Sequence, residues 1–141
     1  MAKYVKPTLD TKFHIDFSWW QEKEQNLRAY LLSHVCPECA EQVEQSEDQT
    51  FDWIDPETGQ VFQIDMLWHI IQTHCSQDPS FFDSRIPLTS AIFRTFIVGD
   101  NTPLTPVEIH EHVDKKDPKL ILRTIGGRVV YQGIKPVAAS A

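Results

Sequence analysis

Apolar residues recur at helical spacing in the first third of the chain. The stripe consists of Trp20, Leu27, Tyr30, Leu31 and Val35. Charged and amide side chains fill the positions between them, so the pattern predicts one amphipathic helix of about four turns. We expect it to begin near Trp19 and to end where Pro37 forbids its continuation.

A change from helical to alternating periodicity marks the middle of the chain. Two β-prone runs, Phe51–Ile54 and Gln60–Ile64, flank the turn sequence DPETG, and this order predicts a β-hairpin. Asp65 follows the second run and can cap a helix over the segment MLWHIIQTHC. The middle of the chain therefore predicts a hairpin that leads directly into a helix.

The last third of the sequence predicts three helices and a second hairpin. Apolar residues at helical spacing over Leu88–Ile97 predict the first helix, which ends at Gly99. Cap-plus-proline signals, Thr105-Pro106 and Asp117-Pro118, open a short second helix and then a third with the sequence KLILRTI. The predicted hairpin has its strands at 128–131 and 134–137, on either side of Gln132-Gly133.

Charge is unevenly distributed along these elements. The chain of 141 residues has a formal net charge of −7. Residues 1–100 contain 7 Lys/Arg and 16 Asp/Glu, whereas residues 101–141 contain 6 and 4. Such a balance excludes a general nucleic-acid coat but permits a local basic face near the C-terminal end. Because no apolar run approaches the roughly 20 residues that span a bilayer, we expect a cytoplasmic protein without membrane contact.

Cysteine and histidine spacing predicts a metal site across the middle of the chain. Cys36 and Cys39 stand in the segment CPEC, and two thiols at this spacing can hold one Zn²⁺ from a tight turn. The predicted helix downstream offers His69, His74 and Cys75 as further ligands. A cysteine turn at residues 36–39 (the knuckle), then a hairpin, then a helix: this order resembles that of a zinc finger. Four protein ligands with at least two thiolates indicate a closed, structural zinc site rather than a catalytic one.

The fourth ligand is left open between Cys75 and His69. At about 100° per residue, His74 shares the apolar face of the predicted helix, whereas His69 lies on its polar face. A frayed helix end would let the adjacent His74 and Cys75 both bind, so we rank Cys75 ahead of His69. Redox chemistry is disfavoured, because the cysteine pair is expected to follow a helix rather than to open one.

The order of elements from Pro87 onward resembles the winged-helix variant of the helix-turn-helix superfamily. The resemblance implies that the third helix enters the major groove of DNA and that the hairpin contacts the backbone. Six cations could serve such a surface: Lys115, Lys116, Lys119, Arg123, Arg128 and Lys135. Since winged-helix modules also bind proteins, a protein partner is the alternative to DNA.

Together these patterns predict an α+β protein that is mainly helical. We expect an N-terminal part over residues 1–86, with a helix and a zinc-stapled hairpin-helix, and a winged-helix-like part over residues 87–141. The predicted function is that of a zinc-binding, DNA-binding or transcription-associated accessory protein. A protein-interaction subunit of a larger assembly is the second hypothesis. A thiol or metal enzyme is the third, because no catalytic motif is present.

Overall fold

A computed structural model describes residues 6–44, 49–83, 85–113 and 117–137. Within them the helices are α1 (Phe17–Glu22), α2 (Leu27–Leu32), α3 (Pro37–Glu44), α4 (Leu67–Thr73), α5 (Leu88–Val98), α6 (Pro106–His110) and α7 (Pro118–Ile125). The strands are β1 (Phe13–Ile15), β2 (Thr50–Ile54), β3 (Val61–Asp65) and β4 (Ile134–Pro136). They form two antiparallel two-stranded sheets, β1–β4 and β2–β3. The α+β class is confirmed, although the described fold is mixed rather than mainly helical.

Contacts divide the chain into two units that differ from the two parts expected from the sequence. One unit combines Met1–Trp19 with Phe82–Ala141, and the other is Trp20–Phe81. The first residues of the chain thus belong with its last third, because β1 pairs with β4. None of the helices in the described part of the chain is long and apolar enough to cross a membrane.

The prediction of one long helix up to Pro37 is wrong. A left-handed residue, Glu24 with φ of 53°, separates α1 from α2. Asn26 then caps α2, since its side chain accepts a hydrogen bond from the Ala29 amide. Nor does Pro37 end a helix: it is the first residue of α3, a position where its missing N–H costs nothing.

The hairpin of the second unit forms as predicted. Its register runs from Thr50 opposite Asp65 to Ile54 opposite Val61. Asp65 is the last residue of β3, and the N-cap of α4 is Met66 rather than the predicted Asp65. The Oδ1 of Asp65 nevertheless accepts a hydrogen bond from the Leu67 amide at 3.0 Å. Its Oδ2 lies 2.7 Å from Nη1 of Arg28, which links α2 to the start of α4. Five side chains of this unit's core are at most 1% exposed: Leu31, Leu67, Trp68, Ile71 and Cys75.

The first unit is built around α5, whose apolar face is buried as predicted. Thr105 and Glu108 form the predicted capping box of α6, and Asp117 caps α7. The predicted C-terminal hairpin is reduced to a single bridge between Tyr131 and Ile134. Strand β4 instead pairs with β1, because residues near the start of the chain supply the longer partner.

Candidate functional site

The Cys36–Cys39 pair opens helix α3. The Cys36 carbonyl accepts hydrogen bonds from the Cys39 and Ala40 amides at 3.0 Å each, so Cys36 stands immediately before the first helical residue. Cys39 lies in the first turn of the same helix. This geometry follows from Pro37, which has no N–H to satisfy and is preset for the start of a helix. Both thiols are therefore held on one rigid turn.

His74 and Cys75 lie where helix α4 ends. His74 is the C-cap residue with φ of −112°, and a 3₁₀ helix, Cys75–Gln77, follows. The tighter 3₁₀ turn changes the angle between successive side chains, so neighbouring residues at this junction can face one site. Cys75 is 1% exposed, whereas the His74 side chain is 56% exposed.

These two segments meet. The ligand atoms of Cys36, Cys39 and His74 all lie within 4.8 Å of one another. Cys75 lies beside this group, because the Cys36 amide donates a hydrogen bond to its Sγ at 3.1 Å. Ligands around a tetrahedral zinc ion are separated by about 3.3 to 3.8 Å, as follows from metal–ligand lengths of about 2.0 to 2.3 Å. The arrangement is therefore compatible with a metal site that needs only a small contraction.

The thiols differ in their affinity for protons. Burial raises the pKa of the Cys36 thiol, but hydrogen bonds from the Cys75 thiol and from the Cys39 backbone and side chain outweigh it, so that this pKa is lowered. Burial, together with the hydrogen bond to Cys36, raises the pKa of Cys39. Burial above all raises the pKa of Cys75 to about 12. A metal bound by these thiolates would have to displace protons from them.

The position of the pair corrects one argument made from the sequence. The sequence pattern disfavours redox chemistry because it places Cys36 and Cys39 after a helix. They open one instead, and a helix N-terminus stabilises a thiolate. A metal is favoured over redox chemistry because the His74 ligand atom lies within 4.8 Å of both thiols, and the Cys75 sulfur accepts a hydrogen bond from the Cys36 amide beside them.

His69 lies elsewhere on α4. Its ring packs against Phe51 with a centroid separation of 4.1 Å, and its Nδ1 lies 3.3 Å from Oε1 of Gln72. The structure therefore brings Cys75, and not His69, to the Cys36–Cys39 pair. The ranking of the two candidates on the helical wheel gave the same order.

Glu38 stands within the knuckle, between the two cysteines. Its Oε2 lies 3.4 Å from Nε2 of His74, and both side chains are largely exposed. A carboxylate at this position can accept a hydrogen bond from one ring N–H and leave the other ring nitrogen for a metal ion, as the carboxylates that orient metal-binding histidines do. No local pattern predicts this contact, because the two residues are 36 positions apart.

Three of the six predicted DNA-binding residues lie together in the first unit. Lys119, Arg123 and Arg128 line a cavity of about 530 Å³, with Lys6 as a fourth cation. The other lining residues are Pro7, Leu122, Gly126 and Gly127. Local patterns could not have identified Lys6 and Pro7, because they come from the opposite end of the chain.

The remaining three predicted cations are placed differently. Lys135 lies on β4, where its Nζ is 3.2 Å from Oδ2 of Asp16, so its charge is already partnered. Lys115 and Lys116 lie outside the described residues. The cationic surface that the structure shows therefore centres on α7 and the residues that follow it.

No known protein family, curated protein or solved structure matches this chain significantly.

Proposed function

We propose that Cys36, Cys39, His74 and Cys75 bind one zinc ion whose role is structural. The observation that carries the proposal is the meeting of three ligand atoms within 4.8 Å, with the Cys75 sulfur hydrogen-bonded beside them. Three thiolates and one imidazole complete a tetrahedral shell, so no coordination position remains for a substrate. The protein is accordingly proposed to be a non-catalytic zinc-binding accessory protein.

The stabilising effect follows from where the ligands lie in the chain. The Cys36–Cys75 contact spans 39 residues and includes the whole hairpin and α4. The unfolded chain does not hold these ligands together, so an ion that joins the two ends binds the folded state and stabilises it. Zinc binding to this set is then largely folding free energy of the second unit.

Metal analysis tests this proposal. Protein purified without added zinc should contain one zinc ion per chain, and Cys39→Ser and Cys75→Ser should each lower that content. His69→Ala is the matched control and should retain the metal, because His69 packs on Phe51 away from the site. Metal-free parent protein, or equal zinc in the parent and Cys39→Ser, would refute the proposal.

Cobalt substitution can determine which side chains bind. The visible spectrum of a cobalt-loaded protein depends on the number of thiolate ligands and on the tetrahedral geometry. Cys75→Ser should change this spectrum, whereas His69→Ala should leave it unchanged. An unchanged spectrum in Cys75→Ser, with a changed one in His69→Ala, would reverse our choice of the fourth ligand.

Nucleic-acid binding by the first unit is the second candidate function. It is supported by the placement of Lys119, Arg123 and Arg128 around one cavity, with no Asp or Glu among its lining residues. The ion pairs between described residues involve neither Lys119 nor Arg123. Binding that weakens steeply with salt and on Lys119→Ala or Arg123→Ala would support this function, and salt-independent binding would oppose it.

A further inference from the structure

The cavity beside α7 concentrates positive charge in a protein that is otherwise acidic. Four of its eight lining residues are cations and none is acidic, although the whole chain carries −7. A potential of this kind acts over about 8 Å at physiological salt. It therefore favours an anion that enters the cavity more than one that lies along the acidic surface elsewhere.

The same cavity has an apolar part. Pro7, Leu122, Gly126 and Gly127 line it between the cations. No atom lies within 4 Å of the point where a Cβ on Gly127 would stand, so the backbone is open to an occupant there. A site for phosphate alone would be lined by hydrogen-bond donors rather than by this apolar surface. An apolar surface rimmed by cations suits a flat, weakly polar group that carries a phosphate.

Shape distinguishes between forms of nucleic acid. In a duplex the faces of the bases are stacked, and a recognition helix must project into a groove about 12 Å wide. Here the cations of α7 border a concavity of about 530 Å³ instead. This volume lies within the range of about 300 to 1,000 Å³ that holds small ligands. Only an unstacked base can place its face in such a space.

Exposed apolar side chains continue from the cavity along the chain. Val129 is 65% exposed and Tyr131 is 44% exposed, and both closely follow the lining residue Arg128. Three residues of extended chain span at most about 10 Å, so the Tyr131 backbone stands within that distance of Arg128. Exposed aromatic rings beside a cationic groove are the usual platform for the bases of a single strand.

We propose that this cavity binds one unstacked nucleotide of a single-stranded nucleic acid, with the neighbouring base on Tyr131. Lys6, Lys119, Arg123 and Arg128 would hold the phosphates, and Leu122 and Pro7 would contact the base. The proposal rests on the nucleic-acid function suggested for the first unit and names its ligand. It does not depend on the zinc site.

Anisotropy with labelled oligonucleotides tests the proposal on the full chain. A single strand of about 12 nucleotides should bind at least about tenfold more tightly than a hairpin in which the same 12 nucleotides are paired with their complement. Gly127→Leu fills the cavity without changing its charge and should weaken single-strand binding about tenfold while leaving duplex binding unchanged. Tyr131→Ala should weaken single-strand binding by roughly fivefold or more. Lys12→Ala, which removes a cation outside the cavity, should have little effect.

Each contrary outcome has a distinct meaning. Duplex binding as tight as single-strand binding, or a nucleoside diphosphate bound as tightly as the oligonucleotide, would refute the single-strand proposal. The first result would leave the nucleic-acid function intact. Absence of binding to both the single strand and the duplex would refute the single-strand proposal and the nucleic-acid function together. If Gly127→Leu fails to fold, as its thermal unfolding would show, the Lys119→Glu/Arg123→Glu variant serves instead and must abolish single-strand binding.

Discussion

The side chain of Asn101 makes hydrogen bonds to the backbone of β1 like those that a neighbouring strand would make. Leu104 exchanges two backbone hydrogen bonds with Phe13, and Asn101 continues the same edge. Its Oδ1 accepts the Ile15 amide at 2.7 Å, and its Nδ2 donates to the Ile15 carbonyl at 2.8 Å. Asn101 is 3% exposed and has φ of 61°, a conformation that asparagine tolerates.

Asn101→Ala should therefore destabilise the first unit strongly. The substitution leaves the amide and carbonyl of Ile15 without partners, at a position where the side chain is 1% exposed. Each unsatisfied buried group costs roughly 1 to 3 kcal/mol. The left-handed backbone adds about 1 kcal/mol for alanine. We expect a loss of about 3 to 7 kcal/mol, a large part of the roughly 5 to 15 kcal/mol that stabilises a typical domain.

Urea unfolding followed by circular dichroism measures this loss, and hydrogen exchange of the Ile15 amide locates it. Asn26→Ala is the matched control, because Asn26 is an exposed helix cap with one hydrogen bond to an amide. That change should cost about 1 kcal/mol. A loss below about 1.5 kcal/mol for Asn101→Ala, or unchanged exchange at Ile15, would refute the reasoning.

Asn101→Asp adds a test with a predicted sign. The carboxylate would face the Ile15 carbonyl, so only its protonated form can donate as Nδ2 does. The pKa of the new carboxyl should be raised in the folded state. Its stabilising contribution is then present below the usual carboxyl range and is lost as pH rises through the folded pKa. Relative to the parent, the variant should be more stable at about pH 5 than at about pH 8; the opposite order would contradict this reasoning.

Three further predictions concern other elements. Arg28→Ala leaves the Asp65 carboxylate, whose side chain is 10% exposed, without its ion pair, and should cost about 1 to 3 kcal/mol in chemical unfolding. Gly126→Ala should lower the melting temperature, because its Cβ would lie 2.5 Å from a carbonyl oxygen, whereas Gly127→Ala should not. The hydrogen bond from the Thr105 amide is the main cause that lowers the pKa of Glu108. The parent should therefore be more stable than Glu108→Gln at neutral pH, and this difference in unfolding free energy should disappear as pH falls through the lowered pKa.

Local chemistry in the sequence was sufficient for several elements. The capping box at Thr105, the cap-plus-proline signal at Asp117 and the DPETG turn each depend on residues within a few positions of one another. Their hydrogen bonds form within one turn, so distant parts of the chain do not alter them. The helix over Leu88–Val98 was equally predictable, because its apolar face is long and periodic.

The region before the Cys36–Cys39 pair could not be predicted in the same way. A continuous apolar stripe suggested one helix, but Asn26 offers a local cap that competes with helical continuation, and the chain turns at Glu24. The same stripe predicts a helix end at Pro37, although proline both ends helices and begins them. Sequence periodicity alone does not distinguish these two uses.

By itself the sequence determined the residue types and spacings that make a Cys/His site feasible, and most of the elements that carry them. Only the tertiary structure decided that Cys75 rather than His69 stands beside Cys36, because that depends on how α4 ends and where the hairpin places it. The same holds for the cavity, where Lys6 joins α7 from the far end of the chain. Contacts across such distances depend on the packing of whole elements, and no local pattern encodes them.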